Sequence, residues 1–349
     1  MHNINPTSLF DEHFVLENLS KLGDPLEKLN SFIDWSIFGV TINKALENKT
    51  KDSSKGGRPP FDKLLLFKSL IIQSLYNLSD EQLEFQITDR ASFKRFLGLK
   101  NSDKIPDSRT FWSFRDTLDK KDLVKTLFDT FNTILESLGV FANEGQMIDA
   151  SFVEAPKQRN NREENKHIKE NSTPPSEWKK NPNKLAQKDT DAKWTKKNKV
   201  SHYGYKNHIK ADSKTKFIKT FVVTDASVHD SQTVKDLLDE QDEGQNLYAD
   251  SAYTGAKQEI IYKDKKVNPK IIEKGYKNKP LTEEQKKSNK KKSKIRVRVE
   301  HIFGFVENSM KGSLVRTIGI ARAKVKVGLI NLTYNLFRCF QLKISTYTG

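Results

Sequence analysis

Over the first 140 residues the apolar positions recur at helical spacing. Within 61–76 (FDKLLLFKSLIIQSLY), Leu64, Phe67, Leu70, Ile71 and Leu75 repeat every three or four residues behind the breaker Gly56-Gly57-Arg58-Pro59-Pro60, which predicts a buried helix. Ser79 with Gln82 three positions later predicts a capping box opening a second helix, and a third, over 91–97, stops at Gly98. After Pro106-Asp107, the segment 108–118 puts Phe111, Phe114 and Leu118 on one face, turns Arg109 and Ser113 away, and leaves Arg115 at the flank. Short helices with a basic outer face suit a helix-turn-helix-like DNA reader, although exposed arginine is also ordinary on any helical bundle.

From Gly145 the pattern changes to period two. Strands are predicted over 146–153, 203–211 and 216–224, the last two joined by the turn Asp212-Ser213-Lys214-Thr215. A helix over 230–240, a strand over 246–250, a helix over 254–263 and a strand over 269–273 follow. A hairpin followed by alternating helix and strand implies a mixed sheet covered by helices, an α/β (mixed) fold. The chain thus divides into an all-α region, 1–140, and an α/β domain, 141–349, ending in a helix over about 321–342.

Two stretches break the second pattern. The segment 155–201 holds eight hydrophobic residues in 47, with Trp178 and Trp194 its large anchors, and reads as a polar insertion or mobile loop unable to fold alone. Further on, Lys286, Lys287, Lys290, Lys291, Lys292, Lys294, Arg296 and Arg298 crowd into thirteen positions as a basic loop leading into a helix over 294–310. Like charges this dense repel one another unless phosphates lie between them. The whole chain carries 61 Lys+Arg against 45 Asp+Glu, a net +16, which favours nucleic acid as the partner. A single cysteine, Cys339, excludes a disulfide framework and a cysteine zinc site. No apolar run approaches the roughly 18 to 20 residues of a membrane span, and the N-terminus lacks a signal pattern, so the expectation is a cytoplasmic protein with no membrane partner.

Three carboxylates stand where a charge is costly. Asp149 follows Met147-Ile148 inside a strand, and Asp250 ends the apolar run Leu247-Tyr248-Ala249. In the helix over 294–310, Ile295, Val299, Ile302 and Val306 form the buried stripe, and Glu300 lies about 100° beside it, able to reach over the sheet edge. An all-oxygen trio suits Mg²⁺ or Mn²⁺, and two such ions could drive in-line displacement at phosphorus. Each acid also has an ordinary role open to it. Asp149 could start a turn, Asp250 could cap the residues that follow, and Glu300 could pair with Arg296. Asp225, His229 and Asp230 are assigned to strand ending and helix capping, and Tyr253 to packing.

The motifs Met147-Ile148-Asp149-Ala150-Ser151, Tyr248-Ala249-Asp250-Ser251-Ala252-Tyr253 and Arg296-Val297-Arg298-Val299-Glu300-His301-Ile302-Phe303-Gly304 resemble the three acidic motifs of the DDE transposases of IS5-type bacterial insertion sequences. Further likeness lies in Gly57-Arg58-Pro59-Pro60-Phe61, Pro106-Asp107-Ser108-Arg109-Thr110-Phe111, Tyr203-Gly204-Tyr205-Lys206, Val228-His229-Asp230-Ser231 and Gly319-Ile320-Ala321-Arg322-Ala323-Lys324. The resemblance implies an RNase H-like (integrase-like) catalytic domain with a mixed five-stranded sheet, its first and fourth strands adjacent, behind a helical DNA-binding region. It implies Asp149, Asp250 and Glu300 as catalytic metal ligands for Mg²⁺ or Mn²⁺. It also implies binding of the element's terminal inverted repeats, release of 3′-hydroxyls, their transfer to target DNA, and a homodimer or higher oligomer on double-stranded DNA. The DNA contacts expected are Arg58, Arg109, Arg115, Lys290, Lys291, Lys292, Lys294, Arg296, Arg298 and Lys311. In the family's Y-(2)-R-(3)-E-(6)-K signature, Arg296 and Glu300 fit, the tyrosine position holds Ser293, and the last basic position holds Glu307, with Lys311 one turn further along as the substitute. Two rival functions share these residues: a nuclease that cuts without joining, and a catalytically silent DNA-binding protein derived from a transposase.

Overall fold

A computed structural model describes residues 11–47, 59–157, 160–197, 199–277 and 279–347. They fall into two compact units, Met1–Phe131 with Asn335–Gly349, and Asn132–Tyr334.

The described part of the first unit is helical: α1 (Asp11–Leu22), α2 (Pro25–Phe32), α3 (Ser36–Ala45), α4 (Lys63–Tyr76), α5 (Asp80–Asp89), α6 (Ala91–Leu97), α7 (Ser108–Lys120) and most of α8 (Leu123–Ser137). The signals for these helices operate as the sequence suggests. Asp62 accepts from the amides of Leu64 and Leu65, Ser79 and Gln82 form their capping box, and Asp107 accepts from Thr110. Gly98 closes α6 at φ +71°, a left-handed position that suits glycine. Trp35, Phe38, Phe67, Phe96 and Phe131 make an aromatic core, and Phe340 from the C-terminal helix packs 5.9 Å from Phe32. The last turns of the chain therefore group with this unit.

The second unit is built on a six-stranded mixed sheet of β1 (Gly145–Glu154), β2 (Lys193–Lys197), β3 (Val200–Asp212), β4 (Ile218–Asp225), β5 (Asn246–Ala249) and β6 (Asn268–Ile271). β1 pairs antiparallel with β3 and parallel with β5, while β6 continues the parallel half. β2 and β4 share the other edge of the long β3, pairing in turn with 200–204 and 205–211. The order β4-β3-β1-β5-β6 is the five-stranded RNase H-like arrangement, with β2 added. Ile148 lies on the face that packs against Val234, Leu237, Leu247, Tyr253, Tyr262 and Ile271. That core is closed by α12 (Val234–Leu237) and α13 (Ala256–Asp264). Met147, Asp149, Ser151 and Val153 point to the other face.

Three expectations are corrected. First, 155–201 is not a structureless loop. It folds into α9 (Arg162–Asn171), α10 (Ser176–Lys179), α11 (Pro182–Ala186) and β2. Trp178, 1% exposed, donates its indole N–H to Glu164 at 2.8 Å, and Lys184 and Lys188 stand 5.4 and 5.3 Å from its ring. Hydrogen bonds from Lys184 and Trp178 bring the Glu164 carboxyl down to about 2. Polar contacts on one aromatic thus supply what the sparse apolar content could not. Second, the basic run is not a loop but the helix α14 (Glu283–Arg296), opened by a Thr282–Gln285 capping box. The expected 294–310 helix breaks at Val297, restarts as α15 (Arg298–Gly304) and ends in a π-helical turn, Phe305–Ser309. Third, the 230–240 helix is a 3₁₀ turn, Asp230–Thr233, followed by the short α12.

The insertion is fastened to the sheet by Asp189. Its buried carboxylate accepts from the Tyr205 hydroxyl at 2.8 Å, from the amides of Asp191 and Ala192 at 3.0 Å, and from Gly319 at 3.1 Å. Asp191 accepts from the amide of Ile320, where α16 (Ile320–Leu342) begins. Replacing Asp189 by Ala strands several buried donors, and a loss of about 3 kcal/mol is expected. Urea unfolding of Asp189→Ala checks this, and a midpoint equal to wild type would show that the latch is dispensable.

Candidate active site

The parallel pairing of β1 with β5 matches Gly145 to Asn246, Gln146 to Leu247 and Met147 to Tyr248. Two positions further along each strand direction lie Asp149 and Asp250, so the sheet brings two acids 101 residues apart to the same level, Asp149 within β1 and Asp250 just past the end of β5. Asp250 also caps the turn that follows, accepting from the amide of Ala252 at 2.8 Å. β5 stops at Ala249 while β1 runs on to Glu154. The edge of β1 beyond Asp149 is therefore open, apart from Glu154, whose N–H donates to Ser313 O and whose carbonyl accepts from Val315.

Glu300 comes from the first turn of α15, whose Val299 and Ile302 are buried. Between the three acids stands the guanidinium of Arg296. It donates to Asp149 Oδ2 at 3.0 Å and to Glu300 Oε1 at 3.1 Å, and Asp250 also acts on it electrostatically. Burial works against the charge of Arg296, but Asp149, Glu300 and Asp250 together raise its pKa. Burial pushes the Asp149 carboxyl up, Arg296 and the Ala150 amide pull it back, Asp250 raises it further, and Lys197 lowers it.

Asp149 and Glu300 share one arginine, and Asp250 is near enough to act on it electrostatically. Among the described residues no three His, Cys, Asp or Glu side chains are gathered closely enough to hold a metal ion. The expectation of a formed metal cluster is corrected to that extent: the protein's own cation stands among its carboxylates. The donor set nonetheless fits a divalent ion chemically, since Asp149, Asp250 and Glu300 offer only hard carboxylate oxygens.

The expected DNA contacts divide. On α14 the exposed lysines include Lys290, Lys291 and Lys294, and Lys291 lines a groove of about 420 Å³ with Tyr248 and Lys270. Lys292 is engaged structurally, donating to Ile271 O at 2.9 Å and to Glu273, so it pins α14 to the end of β6. Arg298 donates to Ser213 O in the β3–β4 turn. Arg115 forms a two-pronged ion pair with Asp80 at 2.7 Å and donates to Gln73 inside the helical unit. Arg109 is exposed on the rim of a cavity of about 670 Å³ between α4 and α7. Lys311 is exposed at φ +50° after the π turn, Glu307 is exposed on that turn, and Arg58 lies outside the described residues.

Three features escaped the sequence reading. Lys206 is buried, with its ammonium bonded to Asp230 at 2.8 Å and Val228 O at 2.7 Å. The Tyr253 hydroxyl is buried with no hydrogen-bond partner among the described residues, and Asp149, Asp230 and Asp250 act on it. Lys197, from the insertion, comes close enough to act on Asp149. Only the alternation in Lys193-Trp194-Thr195 hinted that this part of the insertion was a strand.

Residues 142–336 match the family described as transposase DDE domain, and 14–117 match a second family, transposase domain (DUF772). A solved structure, the piggyBac transposase synaptic complex with hairpin DNA, is similar at 14% identity over 93% of this chain and 77% of that one, with a TM-score of 0.44. No described helix is long and apolar enough to cross a membrane.

The raised Asp149 pKa has a definite sign for stability. The folded state holds the proton more tightly than the unfolded chain. Stability therefore falls as pH rises from the unfolded carboxylate value of about 3.9 through the folded one. Asp149→Asn, which cannot ionise, is expected to raise the thermal midpoint at neutral pH, with the gain fading as pH drops towards about 4. Melting curves across that range test it, and a variant less stable at neutral pH would contradict the assignment.

Proposed function

The chain belongs to the transposase DDE domain family, and on that footing we propose that it binds the ends of its own DNA element, hydrolyses them to free 3′-hydroxyls, and transfers those ends to target DNA. The observation that supports this reading is the meeting of Asp149, Asp250 and Glu300, from two strands and a helix, around one guanidinium. Transposase DDE domains use divalent metal ions. Here Asp149, Asp250 and Glu300 would hold them, with Mg²⁺ or Mn²⁺ the proposed ion, paired as in two-ion phosphoryl transfer, which would supply an activated attacking oxygen and a stabilised leaving oxygen.

The protein's own groups do the rest. Arg296 offsets the charge of Asp149 and Glu300, and its planar fork would suit a phosphate brought beside them. The exposed lysines of α14 draw the DNA backbone towards the acids, with Arg298 and Lys311 beside them. In the helical region Arg109, with Arg58, is proposed to read double-stranded DNA. The motif pattern favours an IS5-type bacterial element, with the protein acting on the chromosome in the cytoplasm. Joining two ends at once calls for a homodimer or higher oligomer on DNA.

The test is incubation with paired element ends, a target plasmid and Mg²⁺. Wild type should give strand-transfer products, while Asp149→Ala, Asp250→Ala and Glu300→Ala lose roughly a thousandfold or more in cleavage with end binding retained. Cleavage without joined product would reduce the protein to a nuclease. Equal cleavage by wild type and Asp149→Ala, or none by either, would defeat the catalytic assignment.

A further inference from the structure

A groove between α14 and the outer strands of the sheet gathers cations from two elements. It has a volume of about 420 Å³, and Tyr248, Lys270, Ser288, Lys291, Lys292 and Ile295 line it. Strand register fixes its floor. β1 pairs Met147 with Tyr248, and β5 pairs Tyr248 with Lys270, so these three stand in one row on one face of the sheet. Asp149 lies two residues beyond Met147 and therefore on that same face, and α14 packs against β1 and β5 there. Two residues advance a strand by roughly 7 Å, so the row of Tyr248 and Lys270 lies about that far behind Asp149. The helical wall also leads to the acids, since Ile295 precedes the Arg296 that bonds Asp149 and Glu300.

The charge lining the groove is of one sign, because no carboxylate is among its lining residues. Lys292 spends its ammonium on Ile271 O and Glu273. Lys270 and Lys291 are exposed and make no ion pair or side-chain hydrogen bond among the described residues, and the hydroxyls of Tyr248 and Ser288 are equally uncommitted. A lysine on an edge strand can serve only to discourage pairing with another chain. That role asks nothing of α14, which here brings Lys291 and Ser288 to the same groove.

Two unpaired ammonium groups around one cavity repel each other, and an anion between them removes that cost. Hydroxyls beside them can donate to the same oxygens. The groove is larger than a bare phosphate needs and leaves room for the sugars on either side. We infer that it holds one phosphate of the DNA backbone, near the phosphate that is cut at the acids. Lys270 of β6 and Lys291 of α14 bind it, and the hydroxyls of Tyr248 and Ser288 are further donors. This rests on the transposase reading and deepens it, since it assigns part of the DNA path to β5 and β6 and not to α14 alone.

The test is binding of a short fluorescein-labelled DNA duplex to the full chain, followed by anisotropy over a range of salt. Lys270→Ala and Lys291→Ala should each weaken binding about fivefold, with thermal midpoints unchanged. Because one phosphate is shared, the double variant should lose about tenfold, short of the product of the single losses, and reduce the log–log salt slope by about one and not two. Tyr248→Phe should weaken binding about threefold and leave the slope as it is, since a hydroxyl releases no counterion. Lys263, exposed on α13 across the sheet, controls for net charge, and Lys263→Ala should stay within about twofold of wild type. Losses that multiply, with a slope change of about two, would mean separate phosphates and overturn the shared site. Equal effects of Lys263→Ala and Lys270→Ala, or no effect from either groove lysine, would overturn it as well. If wild type fails to cut paired ends while these differences in binding persist, the phosphate site stands and the catalytic reading falls. If wild type binds no DNA, both fall.

Discussion

The second unit depends on a balance of charge around Arg296. Asp149 sits where burial disfavours ionisation, with Asp250 next to it, and two carboxylates at adjacent strand ends would repel each other without a counter-charge. A lysine could neutralise one of them as a point charge. The planar fork of Arg296 instead spans from the strand to the helix, with one nitrogen on Asp149 and the other on Glu300. That reach requires α14 to end where it does. The break at Val297 leaves Arg296 in the last turn of one helix and Glu300 in the first turn of the next, so both can face the sheet while Val299 and Ile302 are buried. A straight helix through 294–310 would carry the same residues on a different line.

Placement of the acids was legible in the chain because it rests on alternation. The period-two run around Met147-Ile148-Asp149 and the short apolar run before Asp250 define two strands, and in this fold those strands are neighbours. The insertion was not legible, for a physical reason. Counting apolar residues measures what a segment can bury by itself. The segment 155–201 is held instead by the hydrogen bond that Trp178 donates to Glu164, by two lysines over the Trp178 ring, and by Asp189 bonding to Tyr205 and Gly319, the latter 130 positions away. The lysine-rich run was misjudged in a similar way. Its mutual repulsion is real, but a cap at Thr282 and the anchoring of Gln285, Asn289 and Lys292 at Glu273 and Ile271 hold it helical. The pairing of Arg115 with Asp80 was not legible either, because it joins two helices across a spacing of 35 residues.

Asp189 connects these parts. Because it bonds simultaneously to β3 and to the backbone ahead of α16, while Asp191 takes the first amide of that helix, the insertion cannot shift without disturbing the sheet. α16 is in turn tied to β3 by the buried amide pair Asn207 and Asn331, bonded to each other in both directions. A polar pair inside a packed interface stabilises little beyond an apolar contact, but it penalises any other register, since a slip leaves two amides unsatisfied. The position of the β2–β3 hairpin on the sheet is therefore set by a chain of specific bonds.

The distribution of charge along β1 completes the argument. The cavity of about 440 Å³ at its open end is lined by Glu154 and Glu307 together with Phe152, His202, Phe303 and Ile330. Glu307 occupies the position at which the family pattern has a basic residue, so this side of the site repels a phosphate where related enzymes would attract one. On the transposase reading, a DNA strand passing the three acids is pushed away from that cavity and towards the cations that remain. Those are the exposed lysines of α14.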